Sequence, residues 1–529
     1  MKKTLVAYVP GIGMKTSAWN PLIKRLQNEL NDVTDLGEIE WAGWNHGCQP
    51  LSAIPLMTVS QRFCDWLDSK WFTSGGYEKI ILIGHSIGGI IARQAYLLST
   101  GIEPGRPASD WWKAVDRFIL LAAVNRGIKP NRPWLKIYDL LLELLSAVSL
   151  GKKMTGQDGM FGSEFITNLR LQWIKFMASL PDEAVPTVVQ ILGRDDSVVT
   201  RDDSIDLEQF PHAFHIPVPE VGHGILPLIE RGKNGELRFQ IFRDSILGLN
   251  LSKRSEETKK LLRKRNVVFI LHGIRASNRG WVSQLAELIE QTLPDTEVIQ
   301  SSYGYLSALE FLLPWLHRRP LRWFHNKYAD YFAANPNANF YFIGHSNGTY
   351  ILGHSLLELT GMQFQRIILA GSVLPTNYPW REIYKRGQYK ELRNDQANLD
   401  FPVGFLCGGL NGLGRKDIGK GGYEGFEDDD NSIFQYAFHE GDHGAALHRN
   451  NLVSFLDFII NGKDASKPAN LAEEKEKFSL LTRVAPWIFR VIVLVLIGLF
   501  AVSIITQSVL LFCVLVGALV FIGIIFKVL

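Results

Sequence analysis

Two stretches decide the fold: Ile80-Ile81-Leu82-Ile83-Gly84-His85-Ser86-Ile87-Gly88-Gly89 and Phe340-Tyr341-Phe342-Ile343-Gly344-His345-Ser346-Asn347-Gly348. Each is an apolar run of strand length that ends in a Gly-His-Ser-x-Gly turn. A helix-period segment follows, Ile90 to Leu98 in one and Tyr350 to Leu359 in the other. A serine on a sharp strand-to-helix turn presents its hydroxyl at the sheet edge, beside the unpaired N–H groups of the helix start. The flanking glycines permit the close backbone approach that such a turn requires. One bare match means little in a chain with 47 glycines. Two matches, each between a strand and a helix, are specific.

The likeness of the two stretches extends outward. Leu5 to Ile12, which contains Val9-Pro10-Gly11-Ile12, is echoed by Val267 to Ile274, which ends Leu271-His272-Gly273-Ile274. A tryptophan follows each, Trp19 and Trp281. Gly11 precedes Ser86 by 75 residues and Gly273 precedes Ser346 by 73. Apolar runs at Phe118 to Ala122 and Ile367 to Ala370 come after each serine, and Gly222-His223-Gly224 is matched by Asp442-His443-Gly444. Four landmarks in one order imply two copies of one fold, and 529 residues exceed what one ordinary core supports. Buried strands alternating with helices predict an α/β architecture: two tandem doubly wound, mostly parallel sheets with sites beyond the carboxyl ends of the strands. The expected boundaries are 1–250 for the first domain, with a helical insertion near 126–186, and 266–462 for the second. Between them lies a basic linker, 251–265; beyond them come a polar tether, 463–486, and an apolar tail, 487–529.

Composition narrows the class. Hydrophobic residues at 46% and charged residues at 21% fit a globular chain. A formal net charge of +3, with no interleaving of basic and aromatic residues, gives no case for nucleic acid. Cys48, Cys64, Cys407 and Cys513 show no CxxC spacing, which argues against zinc and against a disulfide framework and fits a reducing compartment. Met1-Lys2-Lys3 precedes an apolar run, Leu5 to Val9, that is too short for a signal peptide and ends in Pro10-Gly11, so it reads as a first strand. The tail differs from everything before it. Val491 to Ile505 and Val509 to Phe526 are apolar and flank the polar break Thr506-Gln507-Ser508. Eighteen helical residues span roughly 27 Å, near the hydrocarbon thickness, so the tail predicts a transmembrane helical hairpin. Arg483, Arg490 and Lys527 mark its open end and favour the cytoplasmic side.

On these motifs both halves resemble the α/β-hydrolase superfamily. The first, through Gly84-His85-Ser86-Ile87-Gly88-Gly89-Ile90-Ile91-Ala92-Arg93, is similar to its lipase and esterase members. The second, through His272-Gly273-Ile274-Arg275 and Gly344-His345-Ser346-Asn347-Gly348-Thr349, is similar to uncharacterised bacterial members. The resemblance covers nearly all of residues 1–460 and is specific for fold and nucleophile but not for substrate. It implies the chain order serine, acid, histidine. Ser86 would then be the nucleophile, His223 its base and Asp196 its acid, with Asp195 the alternative acid and His212 and His215 weaker bases. In the second half Ser346 and His443 take the same roles. Asp400 is the preferred acid there; were Pro402 to Cys407 the preceding strand, Asn411 or Asp417 would stand in its place. Asp442 is too close to His443 in sequence to serve. The oxyanion hole would use the N–H groups of Ile87 and Asn347, together with Ile12 or Gly13 and Ile274 or Arg275. No metal and no cofactor are implied.

Ile137 to Leu150, inside the first insertion, is leucine-rich and needs covering, either as a lid over an acyl groove or as a cap on the core. The second domain has a shorter insertion, Thr376 to Gln388. The expectation is a membrane-anchored serine hydrolase acting on an ester or thioester of a lipid or acyl chain. Its partner is the bilayer, and both domains lie on the cytoplasmic face of a bacterial inner membrane. A membrane-tethered binding or scaffold protein with one or both sites degenerate is the reading from another class. An acyltransferase would differ only in the acceptor.

Overall fold

A computed structural model of the chain describes residues 3–30, 35–148, 153–199, 212–224, 229–249, 251, 264–273, 280–300, 318–428, 432–468, 471, 479–508, 510–511 and 513–517. It divides into two compact units, residues 1–262 with 325–336 and residues 263–324 with 337–529. Most of the basic linker, together with Ile274 and Arg275, lies outside the described residues.

The first unit is built on β1 (Lys3–Val9), β2 (Glu38–Gly43), β3 (Lys79–His85), β4 (Val115–Leu121), β5 (Thr187–Gly193) and β6 (Ala213–Val218). They form one six-stranded sheet in the order β2-β1-β3-β4-β5-β6, with every pairing parallel. The central strands are apolar on both faces, as Ile80, Ile81, Leu82 and Ile83 illustrate, because helices cover both sides of a parallel sheet. Those helices include α1 (Asn20–Leu30), α2 (Leu56–Ser74) and α3 (Ile87–Ser99), the last buried along its whole length. β1 is flanked by β2 on one side and β3 on the other, so the connections diverge between β1 and β3 and leave a crevice at their carboxyl ends. Val9 pairs with Gly84, which sets Gly11 and Ser86 side by side across that crevice.

The insertion after β4 holds α4 (Pro133–Val148) and α5 (Glu164–Ser179), before α6 (Gly235–Leu247) closes the unit. α5 is a core helix: its Trp173 ring lies 5.9 Å from Tyr96 and 5.3 Å from Phe118.

The second unit repeats the plan with β7 (Asn266–Leu271), β8 (Thr296–Gln300), β9 (Asn339–His345), β10 (Phe364–Ala370), β11 (Tyr389–Ala397) and β12 (Ile433–His439). Their order, β8-β7-β9-β10-β11-β12, is the same permutation, again all parallel. Helices α7 (Trp281–Thr292), α8 (Asn347–Glu358), α9 (Trp380–Lys385) and α10 (Arg449–Asn461) accompany them. The short insertion is packed down, with Tyr378 and Trp380 buried. The alternative strand at Pro402 to Cys407 does not form. That segment is a π-helical turn running into the α-helical Gly408–Gly412, and β11 is the strand that precedes Asp400.

The last described helix, α11 (Ser479–Ile505), is apolar, and only 6% of its most apolar window is buried, so it is long enough and exposed enough to cross a membrane. It begins earlier than expected, within the stretch read as a tether. Thr482 and Ala485 are buried, Phe489 stacks edge-on with Phe405 at 5.7 Å, and Arg490 Nε donates to the Gly412 carbonyl at 3.1 Å. The helix stops at the polar break, where Gln507 adopts φ 50° and Ser508 N donates to Ser503 O at 3.2 Å, a left-handed cap. Of the expected second arm, residues 510–511 and 513–517 are helical; the rest lies outside the described residues.

Candidate active site

Each Gly-His-Ser turn has the backbone its residues predict. Ser86 sits at φ 54°, ψ −122° and Ser346 at φ 54°, ψ −120°, a region disfavoured for any residue with a side chain. Such a conformation costs on the order of 1–3 kcal/mol and persists only where the surroundings enforce it. Here Ser86 N donates to Leu121 O at 3.0 Å and Ser346 N donates to Ala370 O at 3.1 Å. Gly88 and Gly348 let the helix start press against β1 and β7. A Cβ at Gly88 would stand 2.8 Å from the Pro10 carbonyl oxygen, and one at Gly348 would stand 2.5 Å from the Leu271 carbonyl oxygen.

In the first unit the side chains form a continuous hydrogen-bonded chain. His223 Nε2 lies 2.9 Å from Ser86 Oγ, and His223 Nδ1 lies 3.0 Å from Asp196 Oδ2. The other Asp196 oxygen accepts from the N–H groups of Val198 at 2.8 Å and Val199 at 2.9 Å. The carboxylate is fully buried and has its bonds made for it, so its orientation is fixed. Asp195 is exposed, and its backbone N–H donates to Val221 O at 3.3 Å, outside this network. His215 lies within β6 and His212 just before it, outside the chain of bonds.

In the second unit His443 Nδ1 is 2.8 Å from Asp400 Oδ2, and Asp400 Oδ1 accepts from Val403 N at 3.0 Å. Asp400 is fully buried. Burial alone would lower the His443 pKa; the adjacent Asp400 carboxylate overrides it and holds the pKa above the ordinary histidine value. Asp417 is engaged elsewhere, with Arg415 at 2.7 Å and the Tyr350 hydroxyl at 3.0 Å. Asn411 donates to Ile418 O, and Asp442 is exposed and caps Gly444. Among the described residues no hydrogen bond joins His443 to Ser346, which separates this site from the first.

Next to Ser86 and Ser346, Ile87 and Asn347 open α3 and α8, where N–H groups have no helical partner. Gly13 N donates to Cys48 O at 3.0 Å, and among the described residues the Ile12 N–H has no backbone acceptor. That turn is braced by His46, whose Nε2 lies 3.1 Å from Pro10 O and whose Nδ1 accepts from Cys48 N at 2.9 Å. The side-chain amide of Asn347 is buried with neither nitrogen nor oxygen hydrogen-bonded; its counterpart in the first unit is the apolar Ile87.

One feature of both sites escaped the sequence. The histidine before each serine holds the loop of the distant histidine. His85 Nε2 donates to the His223 carbonyl at 2.9 Å, and His345 Nε2 donates to the His443 carbonyl at 3.0 Å. Burial, assisted by the neighbouring histidine, pushes their pKa values down to about 4 and about 3, so both rings are neutral at ordinary pH. The partners are 138 and 98 residues away, and no local pattern links them. Among the described residues no cluster of side chains is suited to a metal ion.

Neither a scan against protein-family models nor a search of curated proteins finds a match. Solved structures do match. A monoacylglycerol lipase from Paleococcus ferrophilus is 14% identical, with 46% of this chain and 94% of that one covered and a TM-score of 0.32. Est1E from Butyrivibrio proteoclasticus is 14% identical, with coverage of 47% and 88% and a TM-score of 0.28. The RedJ thioesterase of the prodiginine pathway in Streptomyces coelicolor is 12% identical, with coverage of 46% and 88% and a TM-score of 0.27. Each of these structures covers about half of this chain.

Proposed function

We propose that this chain is a membrane-anchored serine hydrolase that cleaves a carboxylic ester or thioester through the first unit, with Ser86, His223 and Asp196 as its triad. The observation that carries this reading is the unbroken chain from Ser86 Oγ through His223 to the buried Asp196. His223 Nε2 takes the hydroxyl proton as Ser86 Oγ bonds to the acyl carbon. The oxyanion is met by the N–H groups of Ile87 and Ile12. As the tetrahedral adduct collapses, the bond to the leaving alcohol or thiol breaks and that group takes the proton from His223. Water then repeats the sequence on the acyl-enzyme, releasing the acid. Asp196 keeps Nδ1 protonated and stabilises the imidazolium. No step needs a metal or a cofactor.

Ser346, His443 and Asp400 form the second candidate triad. The exposed apolar α11 supports a membrane location, with both units on the cytoplasmic face, and a lipid or acyl ester as substrate. A fluorophosphonate probe tests the proposal: it should label the wild-type chain, and labelling should fall in Ser86→Ala. A wild-type chain that takes up no probe at either serine would sink the enzyme reading and favour a tethered binding protein.

A further inference from the structure

Helix α4 belongs to the insertion of the first unit, yet only one of its faces is covered. Leu135, Leu142 and Ser146 are buried. Tyr138 and Leu142 hold that face against the chain: the Tyr138 hydroxyl donates to Pro50 O at 2.5 Å, and Gln157 Nε2 donates to Leu142 O at 3.1 Å. The opposite side carries Trp134, Ile137, Leu140, Leu141 and Leu144, between 41% and 68% exposed. Their spacing places them on one stripe of the helix, and no polar residue interrupts it. Core packing therefore does not account for them.

Charge tells what covers them. Residues 129–153 hold Lys129, Arg132, Lys136, Lys152 and Lys153 against Asp139 and Glu143. That is +5 − 2 = +3, the formal net charge of the whole chain, so the remaining residues sum to zero. Arg132 and Lys136 are exposed in and beside the first turn of α4, whereas Lys153, beyond its end, is paired with Glu164. An uninterrupted apolar stripe with exposed cations at its N-terminal end matches an anionic lipid surface, where the side chains enter the acyl boundary and the cations meet the headgroups. Sixteen residues make a helix of roughly 24 Å, too short to span a bilayer comfortably, so it would lie along the interface. The same chain carries an apolar helix long enough to hold it at a bilayer.

We infer that α4 is an interfacial docking helix, which seats the first unit on an anionic membrane through Trp134, Ile137, Leu140, Leu141 and Leu144. The inference does not depend on the chemistry at Ser86. To test it, the full chain with Cys513→Ser, which removes the exposed native thiol, is given Ile137→Cys and labelled with an environment-sensitive fluorophore. A control chain carries the label at Phe72→Cys, an apolar site on α2 that is more exposed than Ile137. Both are reconstituted into phosphatidylcholine vesicles, with or without phosphatidylglycerol, that contain a shallow doxyl-lipid quencher. Quenching at position 137 should be several-fold greater than at position 72, should increase with phosphatidylglycerol, and should drop when Arg132 and Lys136 are both changed to Gln. Equal quenching at the two positions overturns the inference, as does a chain that fails to float with the vesicles. Blue-shifted emission at 137 that ignores the lipid quencher but follows protein density would mean that a second copy covers the stripe, and would also overturn it.

Discussion

Replacing His85 with alanine tests whether the histidine before the nucleophile positions the base. Its Nε2–H reaches the His223 carbonyl at 2.9 Å, while its Nδ1 side is pressed against Gly11, where a Cβ would lie 2.6 Å from that nitrogen. The ring is therefore clamped between the oxyanion turn and the base loop. Removing it leaves a carbonyl without its partner, at a cost of about 1–3 kcal/mol, and opens a void that lets the loop relax. A displacement of the base by about 1 Å is enough to cost about 10²-fold in turnover. His85→Ala should thus lower kcat by about that factor while KM stays near wild type, since His85 does not face substrate. His85→Gln places an amide N–H where Nε2 was and should recover most of the loss. Because burial keeps His85 neutral above a pH of about 4, the defect should be the same at neutral and alkaline pH. The assay is steady-state ester hydrolysis with thermal unfolding in parallel. A His85→Ala chain that loses stability but keeps its kcat refutes the reasoning, and so does a glutamine variant no better than alanine.

The buried histidines also set an acid limit. Their pKa values are lower folded than unfolded, so they stabilise the fold above a pH of about 6.5 and that stability is lost as pH falls toward about 4 for His85. The difference is worth about 3 kcal/mol, and His85→Gln should shift the acid-unfolding midpoint of the first unit to lower pH. His443 has the opposite sign: its raised pKa stabilises the second unit below a pH of about 6.5 and that contribution is lost as pH rises through the folded value. Asp400→Asn should remove it, moving the acid limb of any Ser346-dependent rate to lower pH and cutting that rate by about 10⁴-fold. Ala122 holds φ 44° where the second unit has Gly371 at φ 53°. Left-handed backbone costs alanine about 1–2 kcal/mol, and glycine's unfolded-state entropy offsets about 0.5–1 of that, so Ala122→Gly should raise Tm slightly. The reverse change, Gly371→Ala, would bring a methyl group 2.8 Å from His443 Cε1 and should lower both Tm and labelling of Ser346.

The fold was legible because its signals are local. Apolar strands, glycine turns and helix-period runs recur in one order, and the two sheets share one strand permutation. The strand-to-helix turns at Ser86 and Ser346 were legible for the same reason. The end of β11 was not. Its large apolar residues end at Leu392, yet β11 continues through Arg393, Asn394, Asp395 and Gln396 to Ala397, all buried. Their polarity is met internally: Arg393 pairs with Asp395 at 2.9 Å and donates to Ser454 O at 2.8 Å, and Asn394 donates to Gly421 O at 2.9 Å. A buried strand whose side chains satisfy one another has no hydrophobic period to detect. His46, His85 and His345 were missed in the same way, since their roles lie in carbonyl groups of distant loops. The face of α4 is the converse case. Its leucines were visible, but a leucine-rich run reads alike whether it faces a core or a membrane.

The two sites differ at the serine and not at the base. His443 is held as firmly as His223: its carbonyl accepts from His345, its Nδ1 meets a buried Asp400, and that carboxylate is fixed by Val403 N. What is missing among the described residues is the final bond to Ser346. Unliganded sites are often loose at this step and tighten when substrate binds. A held base beside a free hydroxyl therefore predicts slow labelling of Ser346 and not its absence. Forming the contact only in the complex forgoes a neutral hydrogen bond worth about 0.5–1.5 kcal/mol, which corresponds to labelling slower than at Ser86 by about 2- to 13-fold. Asn347 adds a second difference, because a buried amide with no partner penalises an apolar acyl group laid against it and rewards one with a polar atom there. Time courses with an alkyl and a polar-headed fluorophosphonate, in Ser86→Ala and Ser346→Ala chains, separate the two effects. Asn347→Ile should remove the preference of Ser346 for the polar probe without speeding its reaction with the alkyl one to the rate of Ser86. If Ser346 reacts as fast as Ser86 with both probes, the missing hydrogen bond has no kinetic meaning and the sites are equivalent.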